Sequence, residues 1–495
     1  MTRHLELRAG AYHDSVALMQ VSQTVAAEPG VVAALVAMAT DLNLDLLGNL
    51  GFDPPAGAGP NDLLVAVHAD EPEALQRALT TVDAALAERP SAAHGGFDSE
   101  AQPRTVGSAA ARSGATIAVI STPGPYAFVE AMDALEHGLS VMVFSDNVPL
   151  AHEIRLKQEA SRRGLLVMGP DCGTAVINGA GLGFANVVRP GPVGVVAASG
   201  TGAQQVMCLI DDAGVGVSHC LGVGGRDLSA PVGGAATIAA LDLLAADPST
   251  EIIVVISKPP APDVADAVRA KAAVAAKPVV FALLGLGQPD LTAAAHSVVT
   301  AAGGRWRPPR SWPAPMTRLG AYGRVTGLFS GGTLCDEAMV IASAALGPIR
   351  SNVALRPDWQ LGGDLHADGH VMIDFGDDEL TRGRPHPMID GSQRIERLLA
   401  EAEEPGSRVV LLDVVLGHGA HPDPVSDLAP AISRARERAQ ARGADLAVVV
   451  SLIGTTDDPQ GLERQANALA AAGASVHLSN AEAARTAVGL VQAGS

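Results

Sequence analysis

Aromatic residues are scarce in this 495-residue chain: eight Phe, three Tyr and three Trp make up 3%. A nucleic-acid platform built on stacked rings is thereby excluded. Cysteine is scarce as well. Cys172, Cys208, Cys220 and Cys335 stand apart with no CxxC pair, which excludes a zinc ribbon or a disulfide framework and points to reduced thiols. Cations are outnumbered, 34 Lys and Arg against 53 Asp and Glu, and the net charge of -19 excludes a polyanion surface as the main partner. No apolar run reaches the ~20 residues of a membrane span, and Arg3, His4 and Glu6 do not open a signal peptide. The expectation is a cytoplasmic protein, engaged with neither membrane nor nucleic acid.

What is present is small and apolar: 54 Gly and a hydrophobic fraction of 47%. Such material packs helices closely on sheets, and the length requires several domains. Residues 1–92 read as a small α+β region, with strands at Leu5–Arg8, Val31–Met38 and Leu63–Val67 and helices at Ser15–Ala26 and from Glu71. Its strand and helix order suits a ferredoxin-like fold. A hinge-like stretch, Arg89 to Gly96, follows. Residues 105–190 alternate strands and helices at the spacing of a parallel Rossmann domain.

Two further regions, 191–306 and 318–495, repeat one plan. In each, an apolar strand enters a Ser-Gly loop and a helix: Ser199-Gly200-Thr201-Gly202 in the first, Ser330-Gly331-Gly332-Thr333 in the second. Later strands run into Lys258-Pro259-Pro260 and Gly285-Leu286-Gly287 in the first copy. In the second they run into Gly417-His418-Gly419 and Gly454-Thr455-Thr456. A proline-rich crossing from Arg307 to Pro315 separates the copies, and the second carries an insertion at 348–394. The fold class expected is α/β, with tandem Rossmann/flavodoxin-like parallel sheets behind the small N-terminal region.

A strand that turns through small residues into a helix leaves unpaired N–H groups at the helix's positive end, which is an anion site. Phosphate is therefore assigned to Ser199, Gly200, Thr201, Gly202, Ser330, Gly331, Gly332 and Thr333, with helix capping as the plainer reading of each loop. Facing N-termini would make a clamp. His418, in a glycine loop past a strand, is the candidate donor or acid, and Lys258 the candidate catalytic cation. Gly417, Gly419, Gly454, Thr455, Asp171 and Cys172 lie at strand ends where substrates bind in open α/β sheets. Asp374 and Asp413 sit in apolar strands and are either site residues or satisfied structural acids. His386 sits in a Pro-rich arm beside arginines; His13 has a helix cap as its plainer reading. No metal ligand set is present.

The runs Ile117 to Pro123, Met168-Gly169-Pro170-Asp171-Cys172-Gly173, Gly194 to Thr201 and Gly222-Val223-Gly224-Gly225-Arg226-Asp227 resemble the α subunit of succinyl-CoA synthetase in order and spacing. From Val325 the chain is similar to the ligase domain of that enzyme's β subunit. Fused in this order, with the arm at Pro385-His386-Pro387, it resembles the FdrA family. The resemblance implies a succinyl-CoA synthetase-like fold and acyl-phosphate chemistry. It also shows departures. The parent's phosphohistidine setting is replaced by Ala295-His296-Ser297, its supporting glutamate by Lys258-Pro259-Pro260, and no ATP-grasp region or Walker loop is present.

A chain with the acyl-phosphate pocket and no nucleotide machinery is expected to accept an acyl phosphate made elsewhere. By the FdrA resemblance, the leading expectation is carbamoyl transfer between carbamoyl phosphate and a small amide acid such as oxamate, as an oxamate carbamoyltransferase subunit. Two alternatives stand beside it: an acyl-CoA synthetase with a partner-supplied nucleotide site, and a non-catalytic scaffold. No cofactor is required, and CoA is the one candidate. The expected partners are acyl phosphate and acid substrates, other transferase subunits in a hetero-oligomer, and a second copy in a homodimer.

Overall fold

The computed structural model describes residues 2–11, 13, 15–55, 57–87, 103–314, 323–382 and 384–493. Tyr12, Asp14, the expected hinge at 89–96, Pro315 and Gly383 lie outside them. The chain divides into two compact units, residues 1–109 with 381–385, and residues 110–380 with 386–495.

The first unit runs β1 (Thr2–Arg8), α1 (Ser15–Ala26), β2 (Val31–Met38), α2 (Asp41–Asn49), β3 (Leu63–Ala69) and α3 (Pro72–Ala87). Its antiparallel sheet has the order β1-β3-β2, the split β-α-β arrangement of ferredoxin-like folds. Central β3 is apolar on both faces for a physical reason. Leu63, Val65 and Val67 pack with Val21, Val25 and Val82 from α1 and α3, while Leu64 and Ala66 pack with Leu47 and Phe52. Helix α2 covers that second face. The sequence reading left it out because Asp41, Asn43 and Asp45 weaken its helical signal; Thr40 caps it by accepting from the Asn43 N–H at 3.4 Å.

After α4 (Val106–Ser113), the second unit opens with β4 (Ile117–Ile120), α5 (Gly124–Glu136), β5 (Ser140–Val143), α6 (Leu150–Arg163) and β6 (Val167–Met168), a parallel sheet in the order β4-β5-β6. A hairpin, β7 (Thr174–Ile177) and β8 (Ala180–Gly183), comes next. It then continues with β9 (Pro190–Ala198), α7 (Gly200–Asp212), β10 (Val217–Gly222), α8 (Ala235–Ala246), β11 (Ile252–Ser257), α9 (Pro262–Ala273), β12 (Val279–Leu283) and α10 (Leu291–Ala301). The hairpin joins this sheet, of order β12-β11-β9-β10-β7-β8, by pairing antiparallel with β10. The segment 174–183, read from sequence with the Rossmann domain, thus completes the next sheet's edge.

The last sheet is built from β13 (Ser311–Trp312), β14 (Arg324–Phe329), α11 (Gly332–Leu346), β15 (Ile349–Arg350), β16 (His370–Asp374), α12 (Asp378–Thr381), α13 (Ser392–Glu401), β17 (Ser407–Val415), α14 (Val425–Ala441), β18 (Ala447–Ile453), α15 (Leu462–Ala471), β19 (Ala474–His477) and α16 (Asn480–Ala493). Its order is β13-β19-β18-β17-β14-β16-β15. The core run β12-β11-β9-β10 maps onto β18-β17-β14-β16, so the repeated plan is one topology used twice. Equivalent strands β9 and β14 lead into the two Ser-Gly loops. Among the described residues no helix is long and apolar enough to cross a membrane.

A buried ion cluster ties the Rossmann sheet to its neighbour. Lys157 Nζ on α6 donates to Glu153 at 2.8 Å, to Asp227 at 2.8 Å and to the Val223 carbonyl at 3.0 Å. Asp227 also accepts from the Ala236 and Thr237 N–H groups at the start of α8. Lys157→Met would leave Asp227 without its cation and Glu153 with Arg226 alone, and is expected to cost about 3–5 kcal/mol. Chemical denaturation of the variant against the parent chain checks this; an unchanged midpoint would contradict it.

Candidate functional site

The two Ser-Gly loops meet. Ser199 Oγ caps α7 by accepting from the Gly202 N–H at 2.9 Å, and donates to Thr333 Oγ1 on α11 at 2.6 Å. A Cβ on Gly331 would lie 2.6 Å from Thr201 Oγ1, so glycine is what lets the loops touch. Ser199 and Thr333 are buried, and the Gly200 and Thr201 N–H groups on α7 are left without intrahelical partners.

Half of the second loop is already taken. The Asp413 carboxylate, at the end of β17, accepts from the Ser330 N–H at 2.7 Å, the Ser330 hydroxyl at 2.9 Å and the Gly331 N–H at 2.8 Å. Arg394 Nη1 donates to the same carboxylate at 2.7 Å. Ser330 and Gly331, assigned to phosphate from sequence, therefore hold a buried internal carboxylate instead. Asp413 is a satisfied structural acid. The free donors are the N–H groups of Gly332, Thr333 and Leu334 in the first turn of α11.

Lys258 reaches that turn. A Cβ on Gly332 would lie 2.6 Å from Lys258 Nζ and 2.5 Å from Asp374 Oδ2. Lys258 Nζ also pairs with Asp336 Oδ2 at 3.9 Å, and 39% of its side chain is exposed, which marks where the site opens. Desolvation opposes its charge, yet Asp336, Asp374 and Asp171 raise its pKa above the usual lysine value. The acids respond in turn. Burial pushes Asp374 up to about 7 against the pull of Lys258, and Asp336 up to about 6. Asp171, in the turn after β6, is pushed up to about 7 by desolvation and then by Asp378 and Asp146, with Lys258 and Arg226 opposing.

His386 completes the group. The Met388 N–H donates to its Nδ1 at 3.2 Å, so Nε2 carries the proton. A Cβ on Gly376 would lie 2.9 Å from that Nε2, 3.1 Å from Asp374 Oδ1 and 2.6 Å from the Ser330 carbonyl. Desolvation, then Arg394, lower its pKa to about 4, so this imidazole is a neutral donor. Asp336 and His386 were not among the residues assigned from sequence. Asp336 had a signal, lying four residues after Gly332 and so on the same face of the helix.

The remaining assignments fall elsewhere. His418 and Ala185 exchange backbone hydrogen bonds at 2.8 and 3.2 Å, and a Cβ on Gly417 would lie 2.6 Å from the Ala185 carbonyl. The glycines at 417 and 419 thus serve a close backbone approach, while the exposed His418 imidazole stands beside Asp458. Thr455 donates to the Val187 carbonyl at 2.7 Å, its N–H to Asp458 at 2.8 Å, and Gly454 packs on Leu416. Gly417, His418, Gly419 and Thr455 thus seal a seam between segment 183–187 and the last sheet. Among the described residues no hydrogen bond links His418 to Lys258 or to either Ser-Gly loop. Cys172 is buried, with its thiol pushed up to about 12 by desolvation, so its place is in the core. His296 is exposed on α10 and stacked on Trp306 at 5.0 Å.

Residues 328–490 match the family model described as CoA-ligase, and residues 1–103 the one described as AllF, heavy metal-associated domain. Fold and matches together define a CoA-ligase-like α/β protein with an AllF-type N-terminal domain. The chain is 39% identical over 496 residues to the uncharacterized protein YahF of Escherichia coli (strain K12), spanning 96% of this chain and 95% of that one, and it belongs to the family of YahF. It is also 29% identical to the succinate–CoA ligase [ADP-forming] α subunit of Methanothermobacter thermautotrophicus, over 28% of this chain and 47% of that subunit. Against the malate–CoA ligase α subunit of Methylorubrum extorquens it is 28% identical, over 40% of this chain and 69% of that subunit. The first unit's residues do not fit a heavy metal: no cysteine lies within 1–103, and among the described residues no group of three His, Cys, Asp or Glu side chains could hold an ion.

The two buried acids give a pH signature. Asp374 and Asp336 bind their protons more tightly folded than unfolded, where carboxyls titrate near 3.9. Their contribution is full below about pH 4 and is lost as pH rises to about 6 and 7. Asp374→Asn is expected to flatten the fall in stability between pH 4 and 7. Urea titrations across that range check this, and an unchanged slope would contradict it.

Proposed function

We propose that the chain transfers an acyl group from an acyl phosphate bound at the N-terminus of α11, with a CoA thiol as acceptor. The observation that carries this reading is the convergence of Lys258 Nζ on Gly332, where the helix offers unpartnered N–H groups. Those donors and the ammonium would hold phosphate oxygens as charge builds on the leaving group. The thiol sulfur attacks the acyl carbon, the carbon–oxygen bond to phosphate breaks, and phosphate leaves with the electron pair. Asp374, with a pKa of about 7, is suited to take the thiol proton, and the His386 Nε2–H to donate to an oxyanion. The similarity to CoA ligases supports the thiol acceptor. Any nucleotide-dependent formation of the acyl phosphate is assigned to a partner, because no ATP-grasp region or Walker loop was found in the sequence.

One observation favours carbamoyl transfer to an oxamate-like acceptor, the reaction the FdrA resemblance implies, as a second reading. Among the described residues no imidazole poised for phosphorylation stands at the loops: His296 is on the α10 surface, and His386 presents a protonated Nε2. An acyl phosphate supplied whole, such as carbamoyl phosphate, suits such a site. Both readings share the phosphate cradle and differ in the acceptor.

The test measures thioester formation from acetyl phosphate and CoA, phosphate release from carbamoyl phosphate with oxamate, and calorimetric binding of each donor. Lys258→Ala and Gly332→Ala are expected to lower kcat/KM roughly 100-fold or more, with binding of either donor weakened. Turnover and binding unaffected by both substitutions would overturn the assignment of the site.

A further inference from the structure

A cavity of about 560 Å³ lies between α13, α14 and the end of β17, bordered by Ser330 and lined by neither Gly332 nor Lys258. Its size is that of a small-molecule site. Arg394, on α13, lines it and is 8% exposed. The guanidinium is only half used. Nη1 donates to the Asp413 carboxylate, the Asp413 carbonyl and the Leu328 carbonyl, Nε is buried with no partner, and among the described residues no acceptor is bonded to Nη2. Asp413 offers little more, since Ser330 and Gly331 already donate to it three times. A buried guanidinium with a spare donor on a cavity wall offers a charge-assisted hydrogen bond to an anion.

The remaining walls select the anion. Met388, Ile395, Val414, Val415 and Leu428 give the lining an apolar side, so the ligand carries a hydrocarbon body. Asp390, Glu396 and Asp427 outnumber Arg394 and Arg434 among the charged residues bordering the cavity, which favours a singly charged head over a phosphate dianion. We propose that this cavity is a binding site for a small monocarboxylate, its carboxylate on Arg394 Nη2 and its short apolar chain against Ile395 and Leu428. The site is separate from the phosphate cradle and does not depend on the function proposed above.

Calorimetry with pentanoate, pentanamide and inorganic phosphate on the full chain tests it. Pentanoate is expected to bind and pentanamide not to bind. Arg394→Gln risks misfolding by stranding Asp413, so Ile395→Trp, which fills the cavity and spares the ion pair, is the deciding variant. It is expected to weaken pentanoate binding at least tenfold, while Lys258→Ala leaves it unchanged. Pentanoate binding that survives Ile395→Trp, that vanishes in Lys258→Ala, or that is absent in the parent chain would overturn the proposal. So would pentanamide binding as well as pentanoate, or phosphate displacing pentanoate from the unmodified chain.

Discussion

Two helix N-termini pressed together are the constraint around which this site is arranged. Each carries about half a positive charge, and the Ser199–Thr333 hydrogen bond holds the first turns of α7 and α11 in contact. Apposed positive ends repel unless negative charge lies close by. Asp413 supplies it at the Ser330 loop. An incoming phosphate would add to this compensation at the donors that no side chain occupies.

The same arrangement divides labour between the halves. Asp413 is fully engaged, by loop N–H groups and Arg394, and fixes the shape of the second loop. Asp374, Asp336 and Asp171 are held less completely, and desolvation moves their pKa values to about 6 or 7, into the range where proton transfer is useful. Lys258 keeps its charge because those acids outweigh its own desolvation.

Much of this was legible in the chain, for reasons that can be named. The strands of both large sheets are continuous apolar runs bounded by glycine or proline, and the Ser-Gly loops follow two of them directly. Helix α2 and the β7–β8 hairpin were missed, the first because its acidic residues dilute its pattern, the second because Thr174–Gly183 is too short to show a period. The assignment of Ser330 and Gly331 to phosphate misplaced the anion, since nothing in the sequence says that Asp413, more than eighty residues later, reaches back into the loop. Gly417-His418-Gly419 misled for a related reason: glycines that admit a ligand and glycines that admit a neighbouring backbone look alike in a sequence. Lys258 could be singled out because a cation at that strand end offsets phosphate charge whatever its neighbours are.

The central claim is that α11's first turn and Lys258 form the phosphate cradle. A crystal structure of the chain with a non-hydrolysable acyl phosphonate tests it most directly. The account predicts phosphonate oxygens within hydrogen-bond reach of the Gly332 and Thr333 N–H groups and of Lys258 Nζ, with Asp413 still seated on Ser330 and Gly331. A phosphonate bound at the Gly417–Gly419 loop, with the α11 turn untouched, would contradict it.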